Sequence, residues 1–325
     1  MKAIRIDASG GPEVMQWQDI TLPPPGPDEV RLRHTAIGLN FIDTYHRSGL
    51  YPIGFPSGLG LEAAGVVEAV GEGVTLTEGT RVGYCWGPIG AYATHRNIAA
   101  AMLVELPDGV SDEMAAAGLL KGCTTEFLIE RCAEVRPGDT ALVPAAAGGV
   151  GLLLVQWLKL VGAHVIAVAG TPQKLALAAA YGADHGVLDT SDVAKEVRAL
   201  TGGPNSAGGV DVVFDGVGKN SWESSLDSLK RRGLMISFGN ASGPVAGVDL
   251  GILARKGSLF ATRPTLFDYY TSPEERQAHA GRVLQLMASG GLKLAINQRY
   301  KLANAAKAHE DLAARLTTGS TVLIP

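Results

Sequence analysis

The chain has 325 residues, 46% of them hydrophobic, and a formal net charge of −4. That length and apolar content exclude disorder and lead us to expect two domains with large buried cores. The densest basic run is Lys230-Arg231-Arg232, too short for a nucleic-acid footprint. Cys85, Cys123 and Cys132 match neither a disulfide framework nor a zinc cluster, which points to a reducing cytoplasm.

Met1 to Asp7 alternates like a strand and lacks an apolar leader core. The most apolar region, Leu152 to Gly170, is interrupted by Gln156, Lys159 and His164, so neither a signal peptide nor a membrane span is expected. Up to about Leu106, short alternating segments lie between Gly/Pro turns: Glu29 to Ala36, Ala64 to Val70, Thr80 to Tyr84 and Gly90 to Asn97. They read as a β-rich domain, with Leu22 to Pro27 as a polyproline-like surface connection.

From about Pro137 the rhythm changes. A strand (Thr140 to Pro144), an apolar helix (Val150 to Val161), a stop at Gly162 and a second strand (His164 to Ala169) form a βαβ unit. The alternation continues through helix Gln173 to Tyr181, strand Gly186 to Leu188, helix Val193 to Leu200 and strand Val210 to Phe214. Helix Ser221 to Lys230 follows, with Asn220 and Glu223 at the spacing of a capping box, then strand Leu234 to Phe238. A helix at about Asp249 to Lys256 and strand Ser258 to Thr262 complete a doubly wound parallel sheet. Two amphipathic stretches, Glu274 to Ser289 and Ala303 to Leu316, and a last strand, Thr321 to Ile324, read as the chain returning to its first domain.

Ala146-Ala147-Gly148-Gly149-Val150-Gly151 sits between strand and helix, where a dinucleotide-binding turn belongs. Glycines there allow the tight turn, the approach of a diphosphate and the packing of helix on sheet, while helix N-terminal amides face the anion. Ala146 replaces the first glycine of the usual fingerprint, and a packing-only glycine loop is the plainer reading. At the end of the second strand stands Gly170, followed by Thr171-Pro172-Gln173-Lys174, where an acid would hold a ribose 2′-hydroxyl. A small neutral residue with a lysine one turn on leaves room and charge for a 2′-phosphate, so NADPH is the expected cofactor.

The runs Ala36 to Tyr45, Arg47 to Pro52, Ala145 to Gly151 and Arg231 to Asn240 resemble the zeta-crystallin-like NADPH:quinone reductases of the medium-chain dehydrogenase/reductase superfamily, and the likeness extends to Pro325. The resemblance implies an α/β fold: a GroES-like catalytic domain, residues 1-121 and 263-325, around a Rossmann domain, residues 122-262, with the active site in the cleft. It places Asn40 and Thr124 beside the nicotinamide half and Val217, Phe238, Gly239 and Asn240 at strand ends facing the nicotinamide. Gly148, Gly149, Val150 and Gly151 belong to the diphosphate turn, and Gly170, Thr171, Lys174 and Arg315 to the 2′-phosphate site. Plainer roles are a turn cap for Asn40, an ordinary helix position for Thr124 and a solvated helix-end cation for Arg315.

Asp189 departs from the family pattern, where relatives often carry a flat residue; a carboxylate there either pairs with Lys174 or repels a 2′-phosphate. No zinc is expected: Asn40 opens the segment where a ligand cysteine would stand, Leu61 of Gly60-Leu61-Glu62 replaces the ligand histidine, and His34, His46 and His95 lack partners at ligand spacing. A quinone is electrophilic enough to take hydride without a Lewis acid. Tyr45 and Tyr51 would supply a flat wall or a phenol donor, and Arg263 would stabilise a developing hydroquinone anion, against packing and structural roles for all three. No His/carboxylate relay is evident from Asn40 to Tyr51. The alternatives are an NADPH-linked enal/enone C=C reductase and, in another class, a cofactor-binding structural or RNA-binding protein. The resemblance also implies a homodimer paired through Ser258 to Thr262.

Overall fold

In the computed structural model, which describes residues 1–203 and 207–325, the chain opens with β1 (Lys2–Ile6), β2 (Gln16–Asp19), β3 (Glu29–Leu39) and helix α1 (Phe41–Ser48). Next come β4 (Ser57–Gly58), β5 (Ala63–Val70), β6 (Arg81–Tyr84), β7 (His95–Ala99), β8 (Val104–Glu105) and α2 (Asp112–Glu126), which continues as a π turn over Phe127–Cys132. Strict alternation follows: β9 (Thr140–Val143), α3 (Gly149–Val161), β10 (His164–Ala169), α4 (Pro172–Ala180), β11 (His185–Leu188), α5 (Val193–Thr201) and β12 (Val210–Asp215). It ends with α6 (Trp222–Asp227), β13 (Leu229–Ser237), α7 (Gly251–Arg255) and β14 (Phe260–Thr262). Helix α8 (Pro273–Ala288), β15 (Ile296–Lys301), α9 (Ala305–Ala313) and β16 (Ser320–Ile324) close the chain. The residues divide into two compact units, Met1–Cys123 with Tyr270–Pro325, and Thr124–Tyr269. Among the described residues no helix is long and apolar enough to cross a membrane.

The first unit holds a seven-stranded sheet, β15-β16-β3-β5-β6-β8 with β7 paired on β3, and a three-stranded sheet, β2-β1-β4. Strand β3 alternates at first, burying Val30, Leu32, His34 and Ala36, and is then buried continuously from Ala36 to Leu39. It therefore delivers the following residue, Asn40, from a fixed position in the core. The strand expected from Gly90 starts only at His95; residues 90–94 form loop, held by the Ile4 amide on the Tyr92 carbonyl (2.8 Å) and the His34 amide on the Thr94 carbonyl (2.9 Å).

His34 is buried on the apolar face of β3, with Nδ1 2.6 Å from the Ala93 carbonyl and Nε2 3.0 Å from the Tyr84 hydroxyl. The Nδ1–H donates and Nε2 accepts, which only a neutral ring can do. Burial first, helped by the nearby Arg96, holds its pKa down at about 3.

The second unit is a six-stranded parallel sheet in the order β11-β10-β9-β12-β13-β14, the doubly wound arrangement. Helix α3 is apolar all round, with Gly151 to Leu158 buried, and ends as expected at Gly162 (φ 91°). The turn entering α3 places its left-handed residue at Ala145 (φ 53°), not at a glycine of the fingerprint. Gly151 is demanded by close approach instead: a Cβ there would lie 2.5 Å from the Ala145 carbonyl oxygen and 2.7 Å from Ala146 Cα. Helix α6 is shorter than the expected Ser221 to Lys230, because Leu229 pairs with Val210 and starts β13. The expected Asn220/Glu223 capping box does not form: Ser221 is the N-cap, and the Asn220 amide donates to Ser242 Oγ (3.0 Å). Capping boxes are found instead at Asn40 and Asp43, opening α1, and at Ser272 and Glu275, opening α8.

Two outcomes follow from this packing. A group whose folded pKa is depressed contributes stability above its unfolded pKa and loses it as pH falls, here from 6.5 towards 3. The unfolding free energy of the wild type should therefore drop between pH 7.5 and 5.0 by about 2 kcal/mol more than that of His34→Gln. Equal drops would contradict a neutral His34. Gly151→Ala should cost roughly 1–3 kcal/mol through forced backbone movement. Gly281→Ala in α8, where a Cβ meets nothing within 4 Å, should be neutral or stabilising by up to about 1 kcal/mol. Thermal unfolding of the two variants side by side checks the contrast.

Candidate active site

In the first unit Asn40, Tyr45 and Tyr51 lie together around α1. Asn40 is the helix N-cap in extended backbone and is buried; it forms a capping box with Asp43, and its Nδ2 donates to Glu62 Oε2 at 2.8 Å. Its backbone amide donates to Asp43 Oδ2 at 2.9 Å. Tyr45 is buried on α1 and meets Tyr51 edge-on, with ring centroids 5.2 Å apart; the Tyr51 amide donates to the Tyr45 carbonyl at 3.1 Å. Arg315 follows α9 in a left-handed conformation (φ 60°), its amide donating to the Leu312 carbonyl at 3.1 Å.

The same unit contains a relay that sequence reading missed. Asp43 is fully buried, and Oδ2 also accepts from the Tyr92 hydroxyl at 2.9 Å. The Tyr92 oxygen lies 3.0 Å from His309 Nε2, and Arg47 Nη1 reaches His309 Nδ1 at 3.4 Å. An arginine only donates, so Nδ1 accepts, Nε2 carries the proton, and each hydrogen points one way from Arg47 through His309 and Tyr92 to Asp43. Burial, followed by the nearby Arg47, keeps His309 neutral with a pKa of about 3. Burial raises Asp43 to about 7, against the Asn40 amide and Tyr92 hydroxyl that favour its charge. The chain of bonds pins the first turn of α1. A clue existed in the three-residue spacing of Asn40 and Asp43, but His309 comes far later in the sequence with no local signal.

In the second unit the turn Ala146 to Gly151 stands at the carboxyl end of β9, and its N-cap Gly148 makes no side-chain capping bond, so the first-turn amides of Gly149, Val150 and Gly151 are presented to an anion. Gly170 directly follows β10, and Thr171 caps α4, its hydroxyl accepting from the Lys174 amide at 3.2 Å. This corner is not free of carboxylate, as its own strand suggested. Asp189, at the end of β11, comes within 3.3 Å of where a Gly170 Cβ would lie, and its amide donates to the Ala169 carbonyl at 3.0 Å.

Val217 and Phe238 to Asn240 lie beside one another at the ends of β12 and β13. Buried Asp215, also missed in the sequence, organises them: Oδ1 accepts the amides of Val217 (2.8 Å) and Gly218 (3.0 Å), and Oδ2 the hydroxyls of Ser221 (2.6 Å) and Ser225 (2.7 Å). Gly239 must be glycine, since a Cβ would lie 2.3 Å from the Gly216 carbonyl. Arg263 Nη1 donates to the carbonyls of Ser237 (2.7 Å) and Gly239 (3.0 Å), holding this loop. Thr124 is an α2 residue and the first of the second unit.

Among the described residues no group of three or more His, Cys, Asp or Glu is placed to hold a metal ion. Leu61 is buried, and Asn40 is committed to Glu62.

Residues 26–108 match the alcohol dehydrogenase GroES-like domain and residues 149–278 the zinc-binding dehydrogenase family. The chain is 53% identical to a quinone oxidoreductase of Pseudomonas aeruginosa, over 100% of this chain and 99% of that protein. The structure of Escherichia coli quinone oxidoreductase complexed with NADPH superposes with a TM-score of 0.96 at 46% identity, covering 100% of both chains. A 2-haloacrylate reductase of a Burkholderia species is 41% identical over 98% of both. With its GroES-like unit, its doubly wound parallel sheet and full-length identity at this level, the chain belongs to the quinone oxidoreductase family of the medium-chain dehydrogenases/reductases.

Proposed function

We propose that this protein is an NADPH-dependent quinone reductase that works without a metal. The reading is carried by one observation: the full-length likeness to quinone oxidoreductases, one of them complexed with NADPH, in a chain that keeps the glycine turn before α3 and a small residue at the end of β10. We take residues 1-121 and 263-325 as the catalytic domain and 122-262 as the cofactor domain.

The turn at Gly148, Gly149, Val150 and Gly151 fits a diphosphate, because a helix N-terminus offers its first-turn amides to an anion and the packing tolerates no side chain at Gly151. Gly170, Thr171, Lys174 and Arg315 take the 2′-phosphate; Val217, Phe238, Gly239, Asn240, Asn40 and Thr124 take the nicotinamide half. NADPH supplies the hydride, from the nicotinamide C4. The Tyr45 and Tyr51 rings provide an aromatic wall and a phenol for the reduced oxygen. Arg263 we assign to the loop it already holds, in place of the anion-stabilising role expected for it.

We further read the protein as a zinc-free cytoplasmic homodimer. Strand β14 is the edge of the six-stranded sheet and exposes 61% of Phe260, which pairing with a second copy would cover. The likeness to a 2-haloacrylate reductase favours one second reading, reduction of an activated C=C bond by the same hydride transfer.

NADPH oxidation across a panel of quinones and enones tests the assignment: quinones should turn over fastest, and faster reduction of the enones would overturn it. Lys174→Ala should weaken NADPH roughly 10- to 100-fold by removing a charge-assisted contact, with NADH nearly unchanged. Cofactor titrations that show equal losses would reject Lys174 as a 2′-phosphate ligand, and a wild-type preference for NADH would make Asp189 the ribose ligand.

A further inference from the structure

The residue just before β5 is the most heavily engaged buried charge of the first unit. Glu62 is fully buried. Its Oε1 accepts the backbone amide of Leu120 in α2 at 2.6 Å. Its Oε2 accepts Asn40 Nδ2 at 2.8 Å and lies 3.5 Å from Lys121 Nζ, itself buried and 3.4 Å from the Leu39 carbonyl. Room for the carboxylate comes from Gly38 in β3, where a Cβ would stand 2.2 Å from Glu62 Oε2 and 2.2 Å from the Ala116 carbonyl.

Chemistry then decides which way the Asn40 amide faces. The Glu62 oxygen accepts this bond, so Asn40 presents its NH2 to Glu62 and its Oδ1 to the Asp43 amide, which closes the capping box of α1. The backbone of the same residue is held by Asp43. Two acids therefore grip Asn40, one through its main chain and one through its side chain; burial raises the pKa of the second, and Lys121 opposes that rise. Ion-paired burial of this kind is costly to build and is retained where it specifies one geometry.

We propose that Glu62, supported by Lys121, is a positioning residue for hydride transfer: it fixes the Asn40 amide so that Oδ1 faces the Asp43 amide in the capping box, and so sets the entry of α1 beside the nicotinamide end of NADPH. This rests on the reading of Asn40 as a nicotinamide neighbour. Glu62 touches neither cofactor nor substrate and acts through Asn40 alone. Replacing it by glutamine keeps size and the Leu120 contact but sets an NH2 against the NH2 of Asn40, so the Asn40 amide turns over. Exchanging both polarities, Asn40→Asp with Glu62→Gln, restores a donor–acceptor pair, a negative charge beside Lys121 and an oxygen facing the Asp43 amide.

The experiment compares wild type, Glu62→Gln and the double variant by three readouts: thermal unfolding, kcat with affinity for NADPH from fluorescence titration, and the Asn40 side-chain amide in the nitrogen–proton NMR spectrum of cofactor-free protein. In the wild type one Asn40 NH2 proton should be shifted downfield by its Glu62 acceptor, and Glu62→Gln should abolish that shift. Glu62→Gln should lower kcat roughly 10- to 100-fold with NADPH affinity kept within about threefold, and the double variant should recover most of the loss. Unchanged kcat in Glu62→Gln would overturn the proposal. A loss that tracks unfolding and is not recovered by the double variant would also overturn it, reducing Glu62 to a structural role. A wild type inactive with quinones would defeat the functional reading alone, while the NMR signature would still decide the orientation of Asn40.

Discussion

A carboxylate buried without partners is intolerable, and removing one partner of a buried ion pair typically costs about 3–5 kcal/mol. Glu62 meets that constraint with Leu120, Lys121 and Asn40, and much of the first unit is arranged around doing so. It joins the start of β5 to the middle of α2 and to the entry of α1, and it requires glycine at position 38. Burial pushes the Glu62 pKa up, while Lys121, Asn40 and the Leu120 amide oppose the rise. Both acids that hold Asn40 are thus kept in place by donors from other elements. The geometry of the α1 entry is a property of the tertiary fold, which a local loop alone would not specify.

The second unit solves a similar problem with the same device. Asp215, at the end of β12, gathers two backbone amides and two hydroxyls, and so shapes the loop that carries Val217 against the loop of Phe238 to Asn240. In both units the residues assigned to the cofactor are held by buried acids that need not touch it. Rigid support of this kind fits a reaction in which position and exclusion of water do the work.

The parallel sheet was readable because β10 carries the apolar run Val165 to Ala169 and α3 between β9 and β10 has a clear stop at Gly162, which set the alternation that the later elements continue. The glycine turn was readable for the same reason, since close approach leaves a glycine in the sequence. The end of α6 was not, because the pairing of Leu229 with Val210 takes the helix's last residues into a strand. The Asn220 cap failed because the Asn220 amide found Ser242, a partner that local spacing does not show. The support of Asn40 stayed hidden for a similar reason. Its members, Asp43, Glu62, Tyr92, Lys121 and His309, are spread over most of the chain, and only the tertiary packing of α1, α2, α9, the start of β5 and the loop before β7 brings them into reach. Asp189 was noticed as a departure, but its closeness to Gly170 depends on the register of β10 and β11.

The proposed reaction is a single two-electron transfer made fast by position. Rapid mixing of the NADPH-loaded protein with a quinone, using NADPH carrying hydrogen or deuterium at the transferred C4 position, tests it most directly. Loss of NADPH and appearance of hydroquinone should share one rate constant, which deuterium slows. A lag between the two signals, a radical species accumulating between them, or rates indifferent to deuterium would contradict it.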